Sequence, residues 1–201
     1  MLDTHFIKRL KKPLNIFSKL LISINIKANH ITVFGFVLGL MSVPALMLQM
    51  YWLALILIII NRICDGLDGA VARQQGATDL GGYLDITLDF IFYSAVIFGF
   101  ALAVPAENSL AAAFLIFSFV GTGSSFLAFA IMAEKRNITN LDYGKKSLFY
   151  LGGLTEGAET IFFFIVICVF PNYFTIAAWF FGSLCWITTC TRIYSSHLAL
   201  K

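Results

Sequence analysis

Six apolar stretches, at residues 31–48, 51–64, 80–104, 109–132, 147–170 and 173–194, take up most of this 201-residue chain. About 20 apolar residues wound into a helix cross the ~30 Å hydrocarbon core of a bilayer, and these stretches are too long or too uniformly apolar to be strands. The expected fold class is therefore all-α: an integral membrane bundle of six transmembrane helices. Composition points the same way, because 59% of residues are hydrophobic and only 12% charged, against about 45–50% and 25% in soluble domains. A chain with so little polar surface is neither a soluble enzyme, a disordered protein nor a partner for nucleic acid. The cysteines Cys64, Cys168, Cys185 and Cys190 lack Cys-x-x-Cys spacing and lie inside apolar runs, where a thiol behaves as a small hydrophobe.

The net charge of +3 says little until the basic residues are placed. Lys8, Arg9, Lys11, Lys12, Lys19 and Lys27 precede the first stretch, and Arg62 and Arg73 flank the turn between the second and third. Lys135, Arg136, Lys145 and Lys146 separate the fourth from the fifth, and Arg192 and Lys201 close the chain. The connections near Gln49, Glu107 and Asn172 hold none. By the positive-inside rule this alternation puts both termini in the cytoplasm. Before the first stretch, Phe6, Ile7, Leu10, Leu14, Phe17, Leu20 and Leu21 recur at spacings near three and four among the basic residues. Residues 1–28 thus read as an amphipathic helix on the membrane interface, held by anionic lipid, or else as a charged leader serving topology alone. With no cleavable signal pattern, the N-terminus is expected to be retained. Residues 29–201 form the bundle, and 1–201 is one domain without internal repeat.

Asp65, Asp68, Asp85 and Asp89 lie on continuations of the second and third apolar stretches, where a charge costs roughly 2.5–3.5 kcal/mol on insertion scales. Three- and four-residue spacings put each pair on one helix face, and the short connection makes the two helices antiparallel neighbours. Four converging carboxylates repel one another unless cations sit among them, and hard oxygen ligands favour magnesium or manganese, ions that clamp phosphate oxygens. From Tyr51 to Asp65 is 14 steps, about 21 Å at 1.5 Å each, so the cluster falls just inside the cytoplasmic interface. Gly66, Gly69 and Gly76 on one arm and Gly81 and Gly82 on the other let backbone or ligand come close. Arg73 adds a cation for a phosphate, and together these residues suggest a nucleotide or pyrophosphate substrate.

The run Asp65-Gly-Leu-Asp68-Gly69-Ala-Val-Ala72-Arg73, seven residues, then Gly81-x-x-x-Asp85-x-x-x-Asp89, resembles the signature of the CDP-alcohol phosphatidyltransferases at all eight positions. Segments 121–125, Gly-Thr-Gly-Ser-Ser, and 152–156, Gly-Gly-Leu-Thr-Glu, look like a bacterial inner-membrane branch of that family. A departure lies at the first span, where related enzymes often read Pro-Asn-x-x-Thr and this chain has Asn29-His30-Ile31-Thr32. The resemblance implies phospholipid biosynthesis at the inner membrane: a phosphatidyl group passes from a CDP-linked lipid, such as CDP-diacylglycerol, to a small alcohol, releasing CMP. It also implies a homodimer. Asp65, Asp68, Asp85 and Asp89 would surround two Mg²⁺ or Mn²⁺ ions, Gly69, Ala72 and Arg73 would line the cytidine diphosphate pocket, and Asp89 would be the general base.

Residues for the acceptor are less constrained. Arg136, Lys145, Lys146 and Arg192 gather at cytoplasmic ends, where they hold an acceptor phosphate, as of glycerol phosphate or inositol phosphate, or only enforce topology. Glu156 and Glu159, expected nine to twelve residues into the fifth span, select an amine or polyol, as for serine or a free alcohol, or are buried protonated. His30, Asn61, Ser124 and Ser125 are better read as packing residues. An ion-coupled transporter also uses intramembrane acids, but near the midplane and in repeated halves, whereas these four sit at one end of two adjacent spans.

Overall fold

The computed structural model describes residue 14 and residues 16–136 and 154–201; among them there are helices and turns but no strand. After a helical segment at residues 16–23 come α1 (Ala28–Leu40), α2 (Ser42–Met47), α3 (Tyr51–Gln75), α4 (Asp79–Ala103), α5 (Pro105–Lys135), α6 (Gly157–Val169), a 3₁₀ turn (Pro171–Tyr173) and α7 (Phe174–Ala199). Most of the interfacial helix expected over residues 1–28 lies outside the described residues.

Among the described residues, four helical units, Ala28–Met47, Asp79–Ala103, Pro105–Lys135 and Pro171–Ala199, are long and apolar enough to cross a membrane. The first is not one helix. Pro44 lacks an N–H and its ring crowds the carbonyl four residues earlier, so the helix breaks at Met41 and restarts as α2. α3 is as long as α4 but carries Arg62, Asp65, Asp68 and Arg73. α6 is apolar and only 13 residues long, about 20 Å at 1.5 Å per residue. The expectation that Glu156 and Glu159 lie deep inside a fifth span is corrected here. Glu156 is the N-cap of α6 and Glu159 its third residue, joined in a capping box in which Glu159 accepts the Glu156 N–H at 3.2 Å. The two acids satisfy backbone donors that would otherwise be orphaned, which is why they occur three residues apart.

α1 packs on both α3 and α4, which are not closely packed on one another, so the two arms of the motif splay around α1 instead of lying side by side. α5 runs along α7, and α4 joins this pair to α1. A main core of buried aromatics and aliphatics, with Phe92, Phe100, Phe164, Phe174, Leu46 and Ile58 almost wholly enclosed, joins α2 to α7. Phe100 and Phe174 stack at 4.7 Å, and Phe163 and Phe181 at 4.5 Å. In a bilayer such packing supplies van der Waals contact that lipid would supply less well. Closest approach is made by glycine. A Cβ on Gly35 would sit 2.5 Å from Cys64 Cβ, and one on Gly39 would sit 2.8 Å from both Asn61 and Phe92. Gly35-x-x-x-Gly39 therefore presses α1 against the part of α3 that carries the acids.

Candidate active site

The α3–α4 connection is short because each helix end is chemically stopped. Gly76, at φ +99°, ends α3, and the Thr78 side chain caps α4 by accepting the Gly81 N–H at 3.1 Å. On the two arms, Asp65, Asp68 and Asp85 each bring a carboxylate oxygen to within 4.8 Å of the other two. Octahedral Mg²⁺, with oxygens at 2.0–2.1 Å, separates neighbouring ligands by about 3 Å and opposite ones by about 4 Å, so this trio fits one divalent ion after small side-chain adjustments. Asp68 is buried, and Thr32 Oγ1 on α1 donates to its Oδ2 at 2.5 Å. Thr32 thus acts at this point by orienting a carboxylate.

Asp89, expected in the same cluster, is held differently. Arg62 grips it in two places, with Nη2 donating to Oδ1 at 2.6 Å and Nη1 to Oδ2 at 3.2 Å. The Tyr93 hydroxyl donates to Oδ2 at 3.1 Å. Arg62 in turn donates from Nε to Asn61 Oδ1 at 2.8 Å, and Asn61 donates to the Gly35 carbonyl at 3.0 Å. The guanidinium lies 5.0 Å from the Phe92 ring and 5.3 Å from the Tyr93 ring, with Asp65 Oδ2 3.6 Å from Nη1. In the sequence Arg62 stands out only as a topological charge and Asn61 as a packing residue, and Tyr93 does not stand out. The available signals were the i, i+3 spacing of Arg62 to Asp65, the i, i+4 spacing of Asp89 to Tyr93, and the Gly-x-x-x-Gly that seats Asn61.

Two larger cavities flank the carboxylates. One, of about 630 Å³, is lined by Gly69, Ala72 and Arg73 with Thr32, Asp68 and Asp85. A Cβ on Gly69 would meet Arg73 Nη1 at 3.2 Å, so the glycine lets the guanidinium fold back along α3. The other, of about 500 Å³, is lined by Asp85, Asp89, Tyr93, Thr122, Glu156 and Arg192, among others. Arg192 is buried, donates to the Thr122 carbonyl at 3.1 Å, and lies 5.6 Å from the Phe126 ring. Of the acceptor candidates, Arg192 and Glu156 share this cavity. Glu159 is turned to its capping role, and Lys145 and Lys146 lie outside the described residues. Asp85 borders both cavities and the narrow space between the arms.

The sequence profile of CDP-alcohol phosphatidyltransferases matches residues 25–191, a range that contains the acids, Arg62 and every residue lining the two cavities except Arg192. The chain belongs to the CDP-alcohol phosphatidyltransferase family. It is accordingly a membrane transferase of phospholipid biosynthesis. A similar protein is Inner membrane protein YnjF of Escherichia coli (strain K12), 51% identical over 100% of this chain and 98% of that one. Archaetidylinositol phosphate synthase of Pyrococcus horikoshii is 29% identical over 96% of this chain and 95% of its own. Among solved structures, phosphatidylinositol phosphate synthase of Mycobacterium tuberculosis superposes with a TM-score of 0.71 in its complex with manganese and citrate, covering 91% of this chain and 88% of that chain. With CDP-DAG bound, the same enzyme gives 0.65, covering 91% and 92%. At 17% identity this likeness is one of fold. The CDP-alcohol phosphatidyltransferase fold thus accounts for the helical bundle around the two-armed motif.

Proposed function

We propose that the chain transfers a phosphatidyl group from CDP-diacylglycerol to the hydroxyl of a phosphorylated polyol, such as glycerol 3-phosphate or inositol phosphate, releasing CMP. The observation that carries this reading is Asp85, whose carboxylate borders two separate cavities and belongs to the trio that fits a divalent ion. One cavity holds the signature residues Gly69, Ala72 and Arg73 and takes the donor; the other holds Arg192 and takes the acceptor. A donor phosphate and an acceptor hydroxyl meet at such a junction. The relatives support this reading, one being an archaetidylinositol phosphate synthase and another a phosphatidylinositol phosphate synthase solved with CDP-DAG bound. A serine or free-alcohol acceptor is favoured instead by Glu156, which lines the same cavity.

In this mechanism Arg73 binds a phosphate of the donor, and Gly69, having no side chain, leaves room for the guanidinium beside it. Asp65, Asp68 and Asp85 would hold Mg²⁺ or Mn²⁺, which would supply a Lewis acid for the diphosphate. Asp89, bordering the acceptor cavity, takes the proton from the acceptor hydroxyl as that oxygen attacks phosphorus, and Tyr93 and Arg62 hold its carboxylate in place. Arg192 pairs with the acceptor phosphate. The same reading includes six membrane crossings, with α3 and α6 as the second and fifth, both termini and the site on the cytoplasmic face of the inner membrane, and a homodimer. Its direct test is to incubate purified protein, Mg²⁺ and CDP-diacylglycerol with glycerol 3-phosphate, inositol 1-phosphate, inositol and serine, and to weigh the lipid product. A phosphorylated lipid headgroup is expected; no CMP release with any acceptor would overturn the reading.

A further inference from the structure

The wall of the donor cavity carries a second cation that lies outside the signature. Of the residues lining it, Lys27 and Arg73 are positively charged, one at the start of α1 and the other in the last turn of α3. We propose that Lys27 is a donor-recognition residue, its ammonium pairing with the diphosphate of the CDP-linked donor alongside Arg73. This rests on the transferase reading above and deepens it. Asp68 and Asp85 line the same cavity, and they repel an anionic diphosphate wherever a divalent ion does not screen them. Cations elsewhere in the wall are what draw such a ligand in. Neither Lys27 nor Arg73 forms an ion pair with an acid among the described residues, so both charges are available to it.

The turn before Lys27 holds it in this position. The helical segment at residues 16–23 ends at Asn25, which takes a left-handed backbone at φ +61°. The Asn25 N–H donates to the Ile22 carbonyl at 2.9 Å and the Ile26 N–H to the Leu21 carbonyl at 3.0 Å, the bond pattern of a Schellman ending. Two glutamines of α3 then fasten this turn. The Gln75 amide donates to the Ile26 carbonyl at 3.3 Å, and the Gln74 amide to the hydroxyl of the buried Ser18. Both directly follow Arg73, so the stretch of α3 that carries one cation anchors the other. Lys27 itself is the N-cap residue of α1, with extended backbone at φ −89° and ψ 154°, and no side chain caps that helix. Lys27, Ala28 and Asn29 all line the cavity. The first N–H groups of α1 and its dipole therefore favour an anion at the same place as the lysine charge.

Calorimetry of CDP binding to the full chain in nanodiscs with Mg²⁺, at low and high salt, tests this beside steady-state kinetics. Lys27 is exposed, so its replacement leaves the core intact. Lys27→Gln is expected to weaken CDP binding roughly three- to tenfold at low salt, as loss of one charge-assisted bond does. The gap should close at about 1 M salt, where the screening length falls to ~3 Å. The KM for CDP-diacylglycerol should rise with it, while the acceptor KM and the unfolding temperature stay at wild-type values. Lys27→Arg, which keeps the charge, should restore both CDP affinity and donor KM. Unchanged CDP affinity in Lys27→Gln, a loss that high salt does not close, or a Lys27→Arg chain as weak as Lys27→Gln overturns the proposal. The outcomes also separate from those of the transferase reading. CMP release with CDP affinity unmoved in Lys27→Gln would refute the role of Lys27 alone, whereas a salt-dependent loss of CDP affinity without CMP release from any acceptor would refute the transferase reading alone.

Discussion

At the scale of single residues, four aspartates of one motif divide into two kinds of work. Asp65, Asp68 and Asp85 converge with their oxygens within 4.8 Å, whereas Asp89 is clamped by a guanidinium and a phenol. Asp89→Asn preserves the shape of the side chain and one oxygen, so CDP-diacylglycerol binding should stay within a few-fold of wild type while turnover falls by about 10²–10⁴, the usual contribution of a general base. Asp68→Asn should lose donor affinity and turnover together, because it weakens the ion trio that Thr32 orients. Calorimetry with the donor, set against CMP release, distinguishes the two; equal loss of binding in both variants would make Asp89 a ligand and not a base. Arg192→Ala should raise the acceptor KM by roughly tenfold or more, the worth of one charge-assisted bond, with donor affinity unchanged. A shift confined to the donor would remove Arg192 from the acceptor cavity.

At the scale of elements, the site depends on how α1 meets α3. Gly35 and Gly39 lie one turn apart and let Asn61 reach the Gly35 carbonyl, and Asn61 then positions Arg62. Gly39→Val places a branched side chain where a Cβ already lies 2.8 Å from Asn61 and Phe92. Overpacking of this kind costs about 1–3 kcal/mol. The expected result is a lower unfolding temperature together with lost turnover, although residue 39 borders neither large cavity; wild-type turnover in Gly39→Val would mean that the α1–α3 contact does not position the site. The splay of the motif's arms around α1 has the same origin. α3 and α4 meet through side chains at the carboxylate end, which leaves room for cavities on both sides of Asp85.

For the whole molecule, the distribution of basic residues makes a topological prediction. Asn108 is a poor reporter for it, since it is buried, donating to the Phe100 carbonyl at 2.9 Å and accepting from Thr175 at 3.1 Å. Ala106 and Asn172 are exposed, as is Lys201 at the other end, and the exposed Cys190 must first be replaced. Single cysteines at Ala106 and Asn172 should react with a membrane-impermeant maleimide from the periplasmic side, and one at Lys201 only after the membrane is opened. The reverse pattern would put the carboxylates on the face away from cytidine nucleotides.

By itself the sequence determined the all-helical class, the membrane setting, the family and the identity of the four acids, because each rests on local information: apolar length, residue spacing, and eight signature positions within 25 residues. Apolar length also misled in places. It ran through the break that Pro44 makes between α1 and α2, and it put Glu156 and Glu159 inside a span when they cap the start of a helix. Which acids share an ion, what Asp89 pairs with, and that Asp85 borders two cavities were decided only in three dimensions. Those facts depend on side chains distant in sequence meeting across helices, such as Arg62 and Asp89, 27 residues apart, or Thr32 and Asp68, 36 apart. No local periodicity encodes such a meeting; it follows from the tight packing of α1 on α3, and from the charge of Arg62 being cheaper to bury beside a carboxylate than alone.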